Sequence, residues 1–448
     1  MAANKSLHIV MYPWFAYGHM IPFLHLSNKL AENGHTVTYI LPPKAITRLQ
    51  NLNQNPNQIT FQTITVPQVD GLPVGAENVT DIPDITLHTH LATAFDRTRP
   101  EFESIVESIK PDVILYDVAY WVPEVAAKVE AKSVAYSVVS AASVSLSKSM
   151  TDKMGTPTKP LTEEERKKKF AQYPHLIQLY GPFGEGITMY DRLTGMLSKG
   201  DAVACRTCRE IEGKYCQYLS TQYNKKVLLT GPVLPEPDVG ATLDAPWAEW
   251  LTQFKPGSVL FCAFGSQFFL EKDQFQEIVL GLEMTKLPFL MAVQPPKGCA
   301  TVEEAFPEGF AERLKNRGAV TSKWVQQPVI LTHPSVGCFV NHCAFGTMWE
   351  ALLSEKQLVM IPQLGDQILN TKMLADELKV GVEVERGDGG WVSKESLCKA
   401  IKSVMDEDSE IGASIKKNHE NLRITLASKD LMANYMDSFI KDLQALVG

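Results

Sequence analysis

Twice along this chain, short apolar runs rich in β-branched residues alternate with stretches of helical periodicity. In the first half, LHIVMYP (7–13), HTVTYILP (35–42), ITFQTITV (59–66), DVILYD (112–117) and SVAYSVV (133–139) read as buried strands. Helical segments lie between them, such as IPFLHLSNKLAENG, which closes on Gly34 as a C′ residue. The scheme restarts with SVLFCAFGS (258–266), PFLMAV (288–293), GCFVNH (337–342) and QLVMIP (357–362). Strand–helix alternation of this kind predicts an α/β chain with two parallel-sheet domains, each sheet covered by helices on both faces.

At 448 residues the chain is too long for one hydrophobic core. The stretch GPVLPEPDVGATLDAPW (231–247) is rich in Pro and Gly and has no periodicity, which marks a boundary. The reading is therefore a first domain over 1–235, a linker over 236–247 and a second domain over 248–427. The amphipathic segment 428–448 forms a last helix expected to pack back on the first domain. The charged run LTEEERKKKF reads as an exposed helix within an insertion.

Composition excludes several classes of function. A net charge of −8 gives no basic field for nucleic acid, although a small phosphate ester can still be held by helix N-termini. No run approaches about 18 apolar residues and the N-terminus has no secretory h-region, so a cytoplasmic chain that does not span a membrane is expected. The eight cysteines form no regular framework, and the C-x-x-C of Cys205 and Cys208 lacks further ligands at matching spacing. Asp406-Glu407-Asp408 has the letters of a metal-binding D-x-D, but it sits in an acidic polar run rather than after a strand. No metal is expected. Neither half carries G-x-G-x-x-G after its first strand, which argues against a nicotinamide oxidoreductase.

Two-domain α/β proteins bind ligands beyond the carboxyl ends of their strands, so residues that follow strands are the ones to weigh. One long segment meets that criterion: WVQQPVILTHPSVGCFVNHCAFGTMWEALLSEKQLVMIPQLGDQILN, beginning at Trp324. It resembles the signature box of the plant family 1 UDP-glycosyltransferases, which runs from W-x-x-Q through H-C-G-W-N-S and E to D-Q. From Trp324 to Gln367 it has the full length of that box. The resemblance extends over the whole chain and implies a GT-B fold, two Rossmann-like domains facing across a cleft.

The resemblance also implies residue roles that the chemistry supports. Trp324 offers a flat face for uracil beside Val325, and Gln327 an amide for the nucleoside. His342 ends an apolar strand just before a helix, where a diphosphate meets both a side-chain donor and a helix N-terminus. Thr347 and Ser266 are further phosphate-side hydroxyls. Glu350 can accept from both ribose hydroxyls, and Asp366 with Gln367 can grip the sugar. Thr347 and Glu350 also fit a ligand-free capping box, T-x-x-E. The box departs from the family pattern at Ala344, Phe345, Gly346 and Thr347. Phe345 lacks the indole donor and offers an apolar surface near the sugar. Ala344 would slow turnover if glycine geometry is required there. Phe345, Gly346 and Thr347, with W-V-Q-Q-P and P-Q-L-G-D-Q, are similar to the branch-forming subgroup that adds a sugar to a flavonoid 3-O-glycoside, from which Ala344 departs as well.

Inverting sugar transfer needs a base for the acceptor hydroxyl. His19 follows the first strand and begins the first helix, where the helix N-terminus disfavours imidazolium. Asp117 ends the strand DVILYD, and in the family these positions supply a His–Asp dyad. Trp14, Phe15, Tyr17, Tyr120 and Trp121 flank the pair and suggest a flat aromatic acceptor, with His88 and His90 as contacts to a polar glycoside. The expectation is a monomeric enzyme with no cofactor, using a UDP-sugar as co-substrate and glucose as the sugar, since Asp366–Gln367 is intact. Alternatives are branch-forming transfer from UDP-rhamnose or UDP-xylose onto flavonoid or terpenoid glycosides, an aglycone acceptor, or a non-catalytic sugar-nucleotide binder.

Overall fold

The computed structural model describes residues 6–154, 162–169, 178–234, 242–265, 269–315, 317–363 and 365–448. Ser266 and residues 236–241 of the expected linker lie outside the described residues. The chain divides into two compact units, Met1–Pro235 with Lys429–Gly448, and Glu236–Ser428.

The first unit holds strands β1 (His8–Tyr12), β2 (Thr36–Leu41), β3 (Ile59–Thr63), β4 (Val113–Tyr116), β5 (Lys132–Ser137), β6 (Ala202–Cys205) and β7 (Val227–Leu229). They form one parallel sheet in the order β3-β2-β1-β4-β5-β6-β7. Val and Ile fill the central strands because helices cover both faces. Ile9 sits opposite Val37 on one side and Val113 on the other, and all three are sealed from water. The helix Lys429–Val447 returns to this unit from the end of the chain. Its Met436, Phe439, Ile440 and Leu443 join the cluster of Ile9, Met11, Leu115 and Tyr136. Each large apolar side chain so buried contributes on the order of 1.5–3 kcal/mol.

The second unit holds β8 (Val259–Ala263), β9 (Phe289–Ala292), β10 (Gly318–Thr321), β11 (Val336–Asn341), β12 (Gln357–Met360) and β13 (Val382–Glu383). These too are parallel, in the order β10-β9-β8-β11-β12-β13. Each sheet is Rossmann-like, and each has one place where strand order reverses: between β1 and β4 in the first, and between β8 and β11 in the second. Beyond the carboxyl ends of such a strand pair the two flanking connections part to opposite faces and leave a crevice.

The charged run near residue 165 is helical over Glu163–Lys169, with a capping box at its start. The Thr162 N–H donates to the Glu165 carboxylate at 2.7 Å, and the Glu165 N–H returns to the Thr162 hydroxyl at 3.3 Å.

Candidate functional site

The reversal point of the first sheet carries His19 and Asp117. The chain leaves β1 at Tyr12 and enters the helix Tyr17–Glu32, so His19 lies in that helix's first turn. Asp117 directly follows β4. Because β1 and β4 are hydrogen-bonded neighbours, with Tyr12 opposite Tyr116, the two side chains meet. His19 Nδ1 contacts Asp117 Oδ2, while the backbone N–H of Trp14 donates to Asp117 Oδ1. Both carboxylate oxygens are therefore committed. Asp117 is buried, whereas the His19 side chain keeps 25% of its surface exposed, leaving its Nε2 edge for solvent or a substrate.

The aromatic residues divide into two sets. Phe15 and Trp121 are not exposed walls, as expected from their positions, but interior residues. Phe15 packs edge-on against Tyr12 and Phe95, and Trp121 lies on Tyr12 and Phe102 with its indole N–H donating to Asp96 at 3.1 Å. Trp14 is likewise buried, between Phe95 and Phe183. Tyr17 and Tyr120 keep part of their surface. Arg48 lies over the Tyr17 ring at 4.2 Å, and Arg192 over the Tyr120 ring at 5.0 Å. His88 begins the helix His88–Asp96, half-buried, and burial pulls its imidazole below its ordinary range against a weaker pull upward from Asp84. His90 lines a pocket of about 370 Å³ with Gln68, Asp70 and Arg97.

In the second unit, His342 follows β11 at the other reversal point. Gly265, just past β8, has φ +72°, and a Cβ there would stand 3.1 Å from His342 Nε2. Only glycine lets the backbone pass so close to the ring. Burial pushes the His342 imidazole down to about 4, against a smaller opposing pull from the Ala263 carbonyl, so at neutral pH the ring is uncharged. Among the described residues no hydrogen bond of good geometry reaches its Nδ1. The site thus offers a neutral N–H donor rather than a cation.

The helix Phe345–Leu353 begins three residues beyond His342 with Ala344 as its N-cap, and no side chain caps it. The capping-box alternative for Thr347 and Glu350 fails on this geometry, since Thr347 already lies inside the first turn. Glu350 instead accepts from the Gln327 side chain at 2.6 Å. Ala344 itself has an ordinary extended backbone (φ −60°, ψ 149°), so no glycine geometry is required there. The left-handed residue is Cys343 (φ 58°), steadied by its N–H donating to Asn341 Oδ1 at 2.8 Å. Phe345 is 4% exposed and edge-on to Trp349, so it fills the interior instead of presenting an apolar surface. Gly346 has open space at its Cβ position.

Trp324 is 77% exposed, the opposite of a core tryptophan, and Val325 beside it is buried. Asp366 and Gln367 lie in the first turn of the helix Gly365–Lys372, after β12. Gln367 Oε1 accepts the Gln363 N–H at 3.0 Å, which orients the amide so that its NH2 group is the donor end. Asn370, missed in the sequence, donates to the Cys343 carbonyl at 3.0 Å and to Asp366 at 3.3 Å. Its spacing from Asp366 is one helical turn, the only signal it gave.

Elsewhere, all eight cysteines are unpaired thiols, and Cys205 is held up above its usual range first by its hydrogen bond with Cys216 and then by burial. Among the described residues no three His, Cys, Asp or Glu side chains gather as a metal site, and no helix is long and apolar enough to cross a membrane. A groove of about 990 Å³ runs along the edge strand β13. Its Lys372 and Arg386 are both paired with Glu383, at 2.7 and 2.8 Å, and none of the expected site residues lines it.

Comparison with known proteins agrees with this arrangement. Residues 306–422 match the family described as UDP-glucoronosyl and UDP-glucosyl transferase, and residues 5–235 match the glycosyltransferase N-terminal domain. The chain is 86% identical to UDP-glucosyl transferase 79T1 of Saponaria officinalis over 99% of both chains. It is 50% identical to anthocyanidin 3-O-glucoside 2'''-O-xylosyltransferase of Arabidopsis thaliana, over 99% of this chain and 98% of that one. Its fold matches that of Glycyrrhiza uralensis UGT73P12, crystallised with glycyrrhetinic acid 3-O-monoglucuronide, at a TM-score of 0.81, with 22% identity over 99% of this chain and 96% of that one. Two Rossmann-like domains of this kind make up the GT-B fold, and the chain belongs to the plant family 1 UDP-glycosyltransferases, in their group 79.

Proposed function

We propose that this enzyme transfers glucose from UDP-glucose, with inversion, to a hydroxyl of a sugar already attached to a flavonoid. The observation that carries the reaction is the contact of His19 Nδ1 with a carboxylate whose other oxygen is fixed by a backbone N–H. With Nδ1 so engaged, Nε2 is the atom that takes the acceptor's proton. The acceptor oxygen then bonds to the anomeric carbon, the bond from that carbon to the diphosphate breaks, and UDP leaves with the electron pair. Asp117 stabilises the imidazolium that forms.

On the donor side, Trp324 stacks the uracil, Glu350 and Gln327 hold the nucleoside, and His342 donates a neutral hydrogen bond to the diphosphate. The uncapped N–H groups at the start of Phe345–Leu353 and the Thr347 hydroxyl add to it, and the reaction proceeds without a metal. Asp366 and the NH2 end of Gln367 face adjacent equatorial hydroxyls of glucose. The enzyme works as a cytosolic monomer.

A second reading, transfer of xylose, has one observation in its favour: the relative named as a xylosyltransferase acts on an anthocyanidin 3-O-glucoside and is half identical to this chain. A competition assay offering UDP-glucose, UDP-xylose and UDP-rhamnose, with flavonoid glucosides and their aglycones as acceptors, separates the readings. The highest kcat/KM with UDP-glucose and a glucoside is expected. Preference for UDP-xylose, UDP-rhamnose or an aglycone would refute the corresponding half of the proposal.

A further inference from the structure

Asp117 can meet His19 only if the backbone after β4 is held in an unusual shape. The next residue, Val118, has φ +59°, a left-handed conformation that a β-branched residue rarely adopts. Something must hold it there. Both peptide groups of Val118 are gripped from one helix, Met189–Lys199. The Val118 N–H donates to Met196 Sδ at 3.0 Å, and the Val118 carbonyl accepts from Arg192 Nη1 at 3.4 Å. Arg192 and Met196 are four residues apart, hence on one face of that helix. The Tyr116 hydroxyl, at the end of β4, donates to the Met196 carbonyl at 2.9 Å.

Arg192 is fully buried and heavily tethered. Its Nη1 and Nη2 donate to the two oxygens of Asp96 at 2.8 and 2.6 Å, and its Nε donates to the Phe183 carbonyl at 3.0 Å. Asp96 also accepts the Trp121 indole N–H. A charge is costly to bury and stays buried only where it is paired and hydrogen-bonded, and a bidentate guanidinium–carboxylate pair fixes geometry as well as charge. This pair lies against the one turn that aims Asp117.

We propose that Arg192 is a positioning residue, anchored by Asp96 and aided by Met196, that holds the Val118 turn and thereby keeps the Asp117 carboxylate in register with His19. The inference rests on the reading of His19 and Asp117 as the catalytic pair. Lysine has no planar fork and cannot reach Asp96 and Val118 together, so Arg192→Lys relaxes the turn while keeping the charge.

The test is a double-mutant cycle in steady-state kinetics, with thermal melting as a fold control. Arg192→Lys is expected to lower kcat about tenfold or more while KM for the UDP-sugar stays within about twofold, and to add little to the loss caused by Asp117→Asn, because both act on one contact. Should Arg192→Lys fail to fold, Met196→Leu, close in volume but lacking the sulfur acceptor, is expected to show a smaller fall of the same kind. Full multiplication of the two losses, or an unchanged kcat in the folded variant, overturns the proposal. Near-normal kcat in Asp117→Asn instead overturns the catalytic-pair reading and this proposal with it.

Discussion

Replacing Glu350 by alanine separates two jobs that one carboxylate performs in the proposed site. Within the protein it accepts the Gln327 amide at 2.6 Å, joining the helix Gln327–Thr332 to Phe345–Leu353. A partly buried hydrogen bond to a charged group is worth about 1.5–3 kcal/mol. A loss of that size lowers the melting temperature of a unit of this length by about 2–4 °C per kcal/mol. In the proposed complex, the same carboxylate would accept from two ribose hydroxyls, and losing it would leave both unpaired in a desolvated site. With about 2–3 kcal/mol for that loss, the Kd for UDP rises roughly 30–150-fold. Calorimetric titration of UDP at one temperature, beside a melting curve of the free protein, reads the two effects independently. Glu350→Gln serves as the control, because it keeps the shape and one acceptor while removing the charge, and its affinity is expected to lie between the two. If Glu350→Ala melts lower yet binds UDP within about twofold of the wild type, Glu350 is only a strut for Gln327, and the donor reading of this residue is wrong.

Four further outcomes are expected. His19→Ala lowers kcat by a factor on the order of 10² to 10⁴ with UDP affinity unchanged, as judged by turnover and direct titration. Ala344→Ser supplies the missing N-cap and stabilises the second unit by about 0.5–2 kcal/mol in denaturant unfolding, but weakens UDP binding, because the new hydroxyl competes for the first-turn N–H groups. Gln367→Ala narrows the ratio of kcat/KM for UDP-glucose over UDP-xylose. Burial raises the pKa of Glu212 to about 7 against the pull of the Ala142 N–H, so the folded state holds a proton that the unfolded chain releases near 4.5. Its contribution is therefore present below about 4.5 and lost as pH rises through 7. Glu212→Gln, measured by melting between pH 5 and 8, should remove that downward component relative to the wild type.

The two-sheet plan was legible because parallel strands must be apolar on both faces, and runs such as IVMY and VLFCA leave no other placement. Four strands gave no such signal. AVAC of β6 and GAVT of β10 are short and small, β7 has three residues and β13 only two, and their place depends on neighbours distant in sequence. Within the site, residues that follow strands could be found from the sequence, since strand ends fix where a side chain enters the crevice. Which way an aromatic ring turns could not. Phe15, Trp121 and Phe345 are each drawn inward by ring partners that the local sequence does not reveal. The concern over Ala344 misplaced the left-handed residue by one position, because Cys343 takes that conformation with help from Asn341 rather than from being glycine.

The return of the helix Lys429–Val447 to the first unit has a consequence for how the protein is made. The first sheet is complete in sequence by Leu229, but Phe439 and Leu443, which close one flank of its core, are translated only after the whole of the second unit. The intervening Glu236–Ser428 takes roughly 10–40 s to synthesise at about 5–20 residues per second. For that interval the apolar surface around Leu228 and Val233 is bare on a ribosome-bound chain, a target for chaperones and for aggregation. A chain truncated before Lys429 would leave it bare for good. The first unit is thus begun first and finished last, and the second unit folds as an insertion within it.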